Sequence, residues 1–229
     1  MNERILPPFV PIFPLPEVVF FPGVVMPLHI FEPRYRAMTA DALAASGRGL
    51  IVLTLLRAGW EEAYEGTPPV HSIATAGEIT DSQRLDDGRY FLTLRGRHRV
   101  RLTGEESLAV GGYRLARVVP EPEIPGRLDT PAAAGELMRL LDDFSEWNSS
   151  VEIVADLKML AEQPERRAIL LNTIAFHLSV PPARRQELLD EPDLGERLVR
   201  MQEIVRNGLG GKRAMSAFRH VEPDDPRMN

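Results

Sequence analysis

The chain has 229 residues, 44% of them hydrophobic and 26% charged, with a formal net charge of −6. That length suits one large domain or two small ones sharing an interface, and the composition allows a sizeable core. The negative charge speaks against a general nucleic-acid binder, and the lack of cysteine excludes disulfides, thiolate zinc sites and thiol nucleophiles.

Residues 1–8 hold Glu3, Arg4 and two prolines but no uninterrupted apolar run, so no signal peptide is expected and a reducing, cytoplasmic setting fits. From Phe9 to Leu15 apolar residues alternate with Pro11 and Pro14, which suits an edge strand or an irregular extended segment. A helix follows Pro33, with Tyr35, Met38 and Leu43 before Gly47. Residues 50–56 form a nearly continuous apolar run, the pattern of a strand buried on both faces, and are far too short to span a bilayer. Residues 72–84 are a weaker strand, and Asp86, Asp87 and Gly88 supply a turn.

Residues 90–102 carry the clearest alternation. Tyr90, Leu92, Leu94, His98, Val100 and Leu102 hold even positions. Arg89, Thr93, Arg95, Arg97, Arg99 and Arg101 hold odd ones, with Phe91 as the exception. Gly96 interrupts the run and marks a bulge or sharp bend. Residues 113–119 form another short strand.

Prolines crowd residues 120–131, which read as a linker. Beyond it the period becomes helical. Leu137, Leu140, Leu141 and Phe144 form one stripe, and Val151, Val154 and Leu157 another. A third helix opens near Pro164, is apolar almost all round and is expected to be central. Asp193 is the expected N-cap of a last helix carrying Leu194, Leu198, Met201 and Val205. Residues 207–229 open with three glycines among six positions and lack an apolar stripe, so a flexible, dispensable tail is expected.

One stretch is recognisable. Pro14-Leu15, Phe21-Pro22-Gly23, Pro27-Leu28 and the helix after Pro33 fall in the order found at the start of the Lon protease N-terminal domain family. A second stretch combines Gly77, Ile79, the Asp87-Gly88 turn and Gly96-Arg97 leading to Val100. Over roughly residues 7–206 the chain resembles that substrate-binding domain. The resemblance implies an α+β fold: a PUA-like, β-barrel-type subdomain over 7–119, a linker over 120–131 and a helical bundle over 132–206. It also implies a non-catalytic module that recognises unfolded or aromatic-rich polypeptides, with a separate protease as one candidate recipient. The chain is read as standing alone, without ATPase or peptidase. Gly210-Gly211-Lys212 is followed by Arg213 and lacks the first glycine of a phosphate loop, and neither Lys158 nor Lys212 has a serine three residues before it. No cofactor, metal or membrane partner is expected.

Two candidate sites compete. Phe20, Phe21 and Phe31 are candidates for a peptide-binding surface, although rings in such positions are more often core. Trp60 and Tyr64 lie in a polar, acidic loop where aromatics make contacts with few rotatable bonds, or fold back to cap the sheet. The alternative is an RNA- or anion-binding face made by Arg95, Arg97, Arg99 and Arg101, set against a solvated strand face paired with acids such as Glu78 or Glu105. The five histidines are scattered, and adjacent acids such as Glu61 and Glu62 point apart, so neither group reads as a metal or catalytic site.

Overall fold

The computed structural model describes residues 6–45, 49–63, 66–106, 108–148 and 154–219. In chain order these form β1 (Phe9–Leu15), β2 (Val25–Ile30), α1 (Pro33–Ala44), β3 (Leu50–Leu55), β4 (Ile73–Arg84), β5 (Tyr90–Glu105) and β6 (Arg114–Pro120). Five helices follow: α2 (Pro131–Trp147), α3 (Val154–Ala161), α4 (Arg167–His177), α5 (Pro182–Asp190) and α6 (Leu194–Arg219). The fold is α+β. No described helix is long and apolar enough to cross a membrane.

The strands form one mixed sheet in the order β2-β5-β4-β3-β1-β6, in which β1 and β3 are parallel. β5 is long enough to serve two partners. Its first half pairs with β2 through Tyr90 to Arg95, and its last residues pair with β6 through Val100 to Glu105. The sheet therefore curls back on itself. β2 hangs on β5 alone and stays at an edge.

The curl explains the run at residues 50–56. Val52 packs with Val10, Ile12, Ala74, Ala76, Val100, Ala116 and Val118, one small cluster drawn from five strands. Ile51, Leu53 and Leu55 join the large cluster that the sheet shares with the helices. Alternate residues thus face two different apolar environments, and the strand carries no polar face. Valines and alanines make up nearly all of the small cluster, and such short side chains let the strands approach closely.

The bulge in β5 is real. Ala76 pairs with His98 but Gly77 pairs with Gly96, so Arg97 is the extra residue. The phase of the strand flips there. Before it Leu92 and Leu94 are buried; after it Arg99 occupies the buried side.

Segment 120–131 is tied down and does not hang loose. Ile124 donates from its N–H to the Pro192 carbonyl at 2.8 Å, and Leu194 N–H donates to the Ile124 carbonyl at 2.9 Å. Asp193 caps α6 as expected, its Oδ1 accepting from the N–H groups of Gly195 at 2.8 Å and Glu196 at 3.2 Å.

A buried polar hub joins sheet and helices. The Arg197 guanidinium is fully buried; it donates to Glu123, to Asn172 Oδ1 and to the Glu191 carbonyl. It also lies over the Phe21 ring, 5.8 Å from the centroid. Asn172 donates from Nδ2 to the Pro22 carbonyl at 3.1 Å. The Phe21-Pro22-Gly23 motif is therefore structural: it docks the sheet on α4 and α6.

Residues 207–219 correct the expectation of a flexible tail. α6 continues to Arg219, and Leu209 is buried. Glycines cost a helix roughly 1 kcal/mol each relative to alanine, which is why the sequence reads as a stop. At Gly208 the reason is packing: a Cβ there would lie 2.3 Å from the Trp147 ring. Lys212 Nζ then donates to the carbonyls of Glu146 at 2.6 Å and Trp147 at 3.1 Å, the last carbonyls of α2. Truncation after Arg206 should accordingly lower the thermal midpoint by about 5 °C or more, since burying one leucine is worth about 2 kcal/mol and each kcal/mol moves a chain of this size by roughly 2–4 °C. A thermal melt unchanged by the truncation would show that this last stretch contributes nothing.

Candidate functional site

The expected aromatic site falls apart on inspection of burial. Phe20 is 1% exposed and Phe21 is 0% exposed, so both belong to the core and neither can touch a docked segment. Thr75 Oγ1 donates to the Phe20 carbonyl at 2.6 Å, fixing that backbone from the sheet side. Trp60 is half-buried at the start of a short 3-10 turn, Trp60–Ala63. Tyr64 lies outside the described residues.

The arginine row is corrected as well, and the bulge is the cause. Arg99 is 3% exposed and donates to the carbonyls of Leu189 at 2.7 Å, Asp190 at 2.6 Å and Glu121 at 3.1 Å. It closes the C-terminal end of α5, where helix carbonyls lack partners. Burial lowers its pKa from the ordinary arginine value, and repulsion from Arg197 adds to the shift. Arg97 is paired with Glu78 at 2.6 Å and Arg101 with Glu121 at 2.8 Å. Arg95, Arg97 and Arg101 stay exposed, but Arg97 and Arg101 are ion-paired and Arg99 turns inward, so the four guanidinium groups do not form one free face.

A different surface stands out. β2 is an edge strand, and its alternation is strict: Met26 and Ile30 are buried while Val25, Pro27 and His29 are exposed. His29 pairs in register with Phe91 on β5, Pro27 with Thr93 and Val25 with Arg95, which places these side chains on one face. The His29 and Phe91 rings are stacked with centroids 4.7 Å apart, and Phe31 lies 5.9 Å from His29. Phe31 is 60% exposed, Phe91 50% and Val25 47%. Large apolar side chains scattered singly need no explanation; here three aromatic rings cluster beside an open strand edge.

Beside this strip is a shallow cleft of about 340 Å³ between α1 and the β4–β5 turn. Pro33, Ala37, Ala40 and Tyr90 form its apolar lining, and Arg36 and Arg84 are its charged residues. α1 is held by its other side. Tyr35, Met38 and Ala42 are buried, and the Tyr113 hydroxyl donates to Asp41 Oδ2 at 2.8 Å. Burial first, and then that hydrogen bond, push the Tyr113 pKa up to about 12. Tyr90 and Phe91 are adjacent in β5 and so point to opposite faces. The cleft and the aromatic strip therefore meet around the strand end, where Phe31 leads into α1.

The signal for Phe91 was present in the sequence as the single aromatic on the polar side of an otherwise regular alternation. Phe31 was among the candidate rings. His29, Arg36 and Arg84 carried no sequence signal. Trp60 follows β3, and Leu56, just past that strand, bridges to Val70 shortly before β4, whereas Phe91 pairs with Gln83 near the other end of β4. At about 3.3 Å per residue those places are roughly 30 Å apart, so the loop aromatic and the strip are not one site. Among the described residues no group of three or more His, Asp or Glu is placed to hold a metal ion.

The fold is an α+β domain whose sheet carries an exposed aromatic face beside an open strand edge. Residues 10–207 match the family model of the ATP-dependent protease La (LON) substrate-binding domain, and the chain belongs to that family. It is 28% identical over 194 residues to Lon protease 2 of Syntrophobacter fumaroxidans, covering 84% of this chain and 24% of that protein. It is 29% identical over 207 residues to Lon protease of Dictyoglomus thermophilum, covering 89% of this chain and 25% of that protein. The chain thus spans about a quarter of these curated relatives. Among solved structures it is similar to the N-terminal domain of Mycobacterium avium complex Lon protease, with a TM-score of 0.66 at 20% identity over 86% of this chain and 98% of that one. It is also similar to the Lon N-terminal domain protein from Xanthomonas campestris, with a TM-score of 0.57 at 22% identity over 85% and 97% of the two chains.

Proposed function

We propose that the chain is a polypeptide-recognition module that acts by binding and performs no catalysis. The observation that carries this reading is the exposed contact of Phe31, His29 and Phe91 beside the open edge of β2. Such a face offers apolar area to aromatic-rich or unfolded segments at low rotamer cost. Membership of the substrate-binding family supports it. In the same reading the curled sheet is a PUA-like subdomain and α2 to α6 its helical bundle, the module works in the cytoplasm, and a separate protease is one recipient of what it binds. The RNA alternative loses its support with the arginine row, since Arg97, Arg99 and Arg101 are all engaged within the fold.

The experiment is a titration of the chain with a permanently unfolded polypeptide and with a single-stranded RNA, each at about 50 and about 200 mM salt. Polypeptide binding is expected with a Kd on the order of micromolar, because one shallow face provides little preorganised area. Its affinity should change little with salt. Phe31→Ser and Phe91→Ser should each cost about 1–2 kcal/mol, and Trp60→Ala less. Tight RNA binding that weakens steeply with salt, with no affinity for the polypeptide, would reverse the reading.

A further inference from the structure

The cleft beside the aromatic strip has a chemistry of its own. Arg36 and Arg84 make no hydrogen bond or ion pair among the described residues, and no carboxylate lines the cleft with them. In a chain of net charge −6, two guanidinium groups share this apolar cleft, and the acid that feels Arg36 electrostatically, Asp87, is already paired with Arg89 at 2.6 Å. Arg36 is also held in place. Its guanidinium packs over Gly88, where an added Cβ would stand 2.1 Å from Nη2, and Gly88 itself has φ +81°. The turn therefore needs a glycine for its own backbone and for the room that Arg36 occupies.

We propose that this cleft takes a carboxylate of the same polypeptide segment whose bulky apolar side chain rests on Phe31 and Phe91. The inference depends on the reading of the strip as a polypeptide site and adds to it a rule for choosing segments. Phe31 stands two residues before Pro33, and Phe91 one residue after Tyr90, so the apolar face and the cationic cleft share neighbouring backbone. Three or four residues of extended chain, about 3.3 Å each, connect one to the other around the strand end. The preferred segment has an aspartate or glutamate three or four positions from an aromatic residue. Two forked guanidiniums suit a carboxylate, and the apolar lining accepts the methylene stem.

The test uses the full chain and two fluorescein-labelled peptides read by anisotropy. One carries tryptophan and, four residues on, aspartate; the other has asparagine in place of the aspartate. The aspartate peptide is expected to bind about fivefold to tenfold more tightly. Arg36→Gln with Arg84→Gln should remove that preference and leave the asparagine peptide unaffected, while Phe31→Ser weakens both peptides. Circular dichroism melts confirm that each variant stays folded, and the double lysine variant should restore part of the preference. Equal affinity for the two peptides, unmoved by the arginine changes, overturns the inference and leaves polypeptide recognition standing. Failure of both peptides to bind, or indifference to Phe31→Ser, overturns the recognition reading itself. A single-stranded RNA bound more tightly than either peptide, and lost with the arginines, would make the cleft a phosphate site and overturn the proposal.

Discussion

Replacing Gly96 with valine is expected to destabilise the fold by about 3 kcal/mol or more, at the upper end of overpacking costs. The cause is close approach of two backbones. A Cβ at this position would stand 2.2 Å from the Phe21 carbonyl oxygen, 3.0 Å from its carbon and 3.2 Å from Pro22 Cα. None of these is the movable end of a side chain. The same residue accepts from Gly23 N–H at 2.9 Å and donates to the Val24 carbonyl at 2.8 Å, so the strand cannot retreat without losing both bonds. Phe21 cannot retreat either, since it is fully buried beneath Arg197. Gly77, the register partner, provides a contrast: there the nearest atoms to an added Cβ belong to the Leu94 side chain, at 2.6 Å from Cγ, and none is backbone. Urea unfolding should show Gly96→Val far less stable than Gly77→Ala. Equal midpoints would mean that the Phe-Pro-Gly loop moves more easily than its contacts suggest.

Arg197→Leu should cost about 3–5 kcal/mol, chiefly by leaving partners stranded. The Glu191 carbonyl and Asn172 Oδ1 lose the Arg197 donor, Glu123 loses its cation and keeps only Asn172 Nδ2, and the Phe21 ring loses the cation above it. Isosteric replacement of a whole buried ion pair is often nearly neutral, whereas removing one partner is not. The double variant Arg197→Leu with Glu123→Leu should therefore recover at least about 1 kcal/mol of the loss in a double-mutant cycle. Strict additivity of the two changes would show that the ion pair is not what the hub depends on. Arg197→Leu unfolding like the parent chain would show that Phe21-Pro22-Gly23 holds the helices without it.

What the sequence revealed and concealed follows from how its signals arise. Alternation depends only on local geometry, so the double-sided burial of β3 and the interruption at Gly96 were both legible. The reason for Gly96 was not, because Phe21 lies 75 positions away and close approach is a tertiary fact. The bulge also defeated the arginine row. Counting by twos through residue 97 puts Arg99 with Arg95, whereas the extra residue turns Arg99 toward α5. Phe20 and Phe21 belong to the motif that carries the family resemblance, and that motif marks a docking point in the core. The end of α6 was hidden because glycines that fit beneath Trp147 look like a helix stop. Of the surface described here, Phe31 and Phe91 were visible as rings out of place, and the cleft was invisible because α1 and the β4–β5 turn are far apart in sequence.

The most direct measurement is a set of amide chemical-shift maps of the isotopically labelled full chain, titrated with an unfolded polypeptide. Recognition through the aromatic strip predicts progressive shifts at residues 25–31 and 89–95, extending to Ala37 and Gly88, and their loss in the Phe31→Ser variant. Shifts confined to residues 56–63 or to the neighbourhood of Arg101, or none at polypeptide concentrations of several hundred micromolar, roughly a hundredfold above a micromolar Kd, would contradict it.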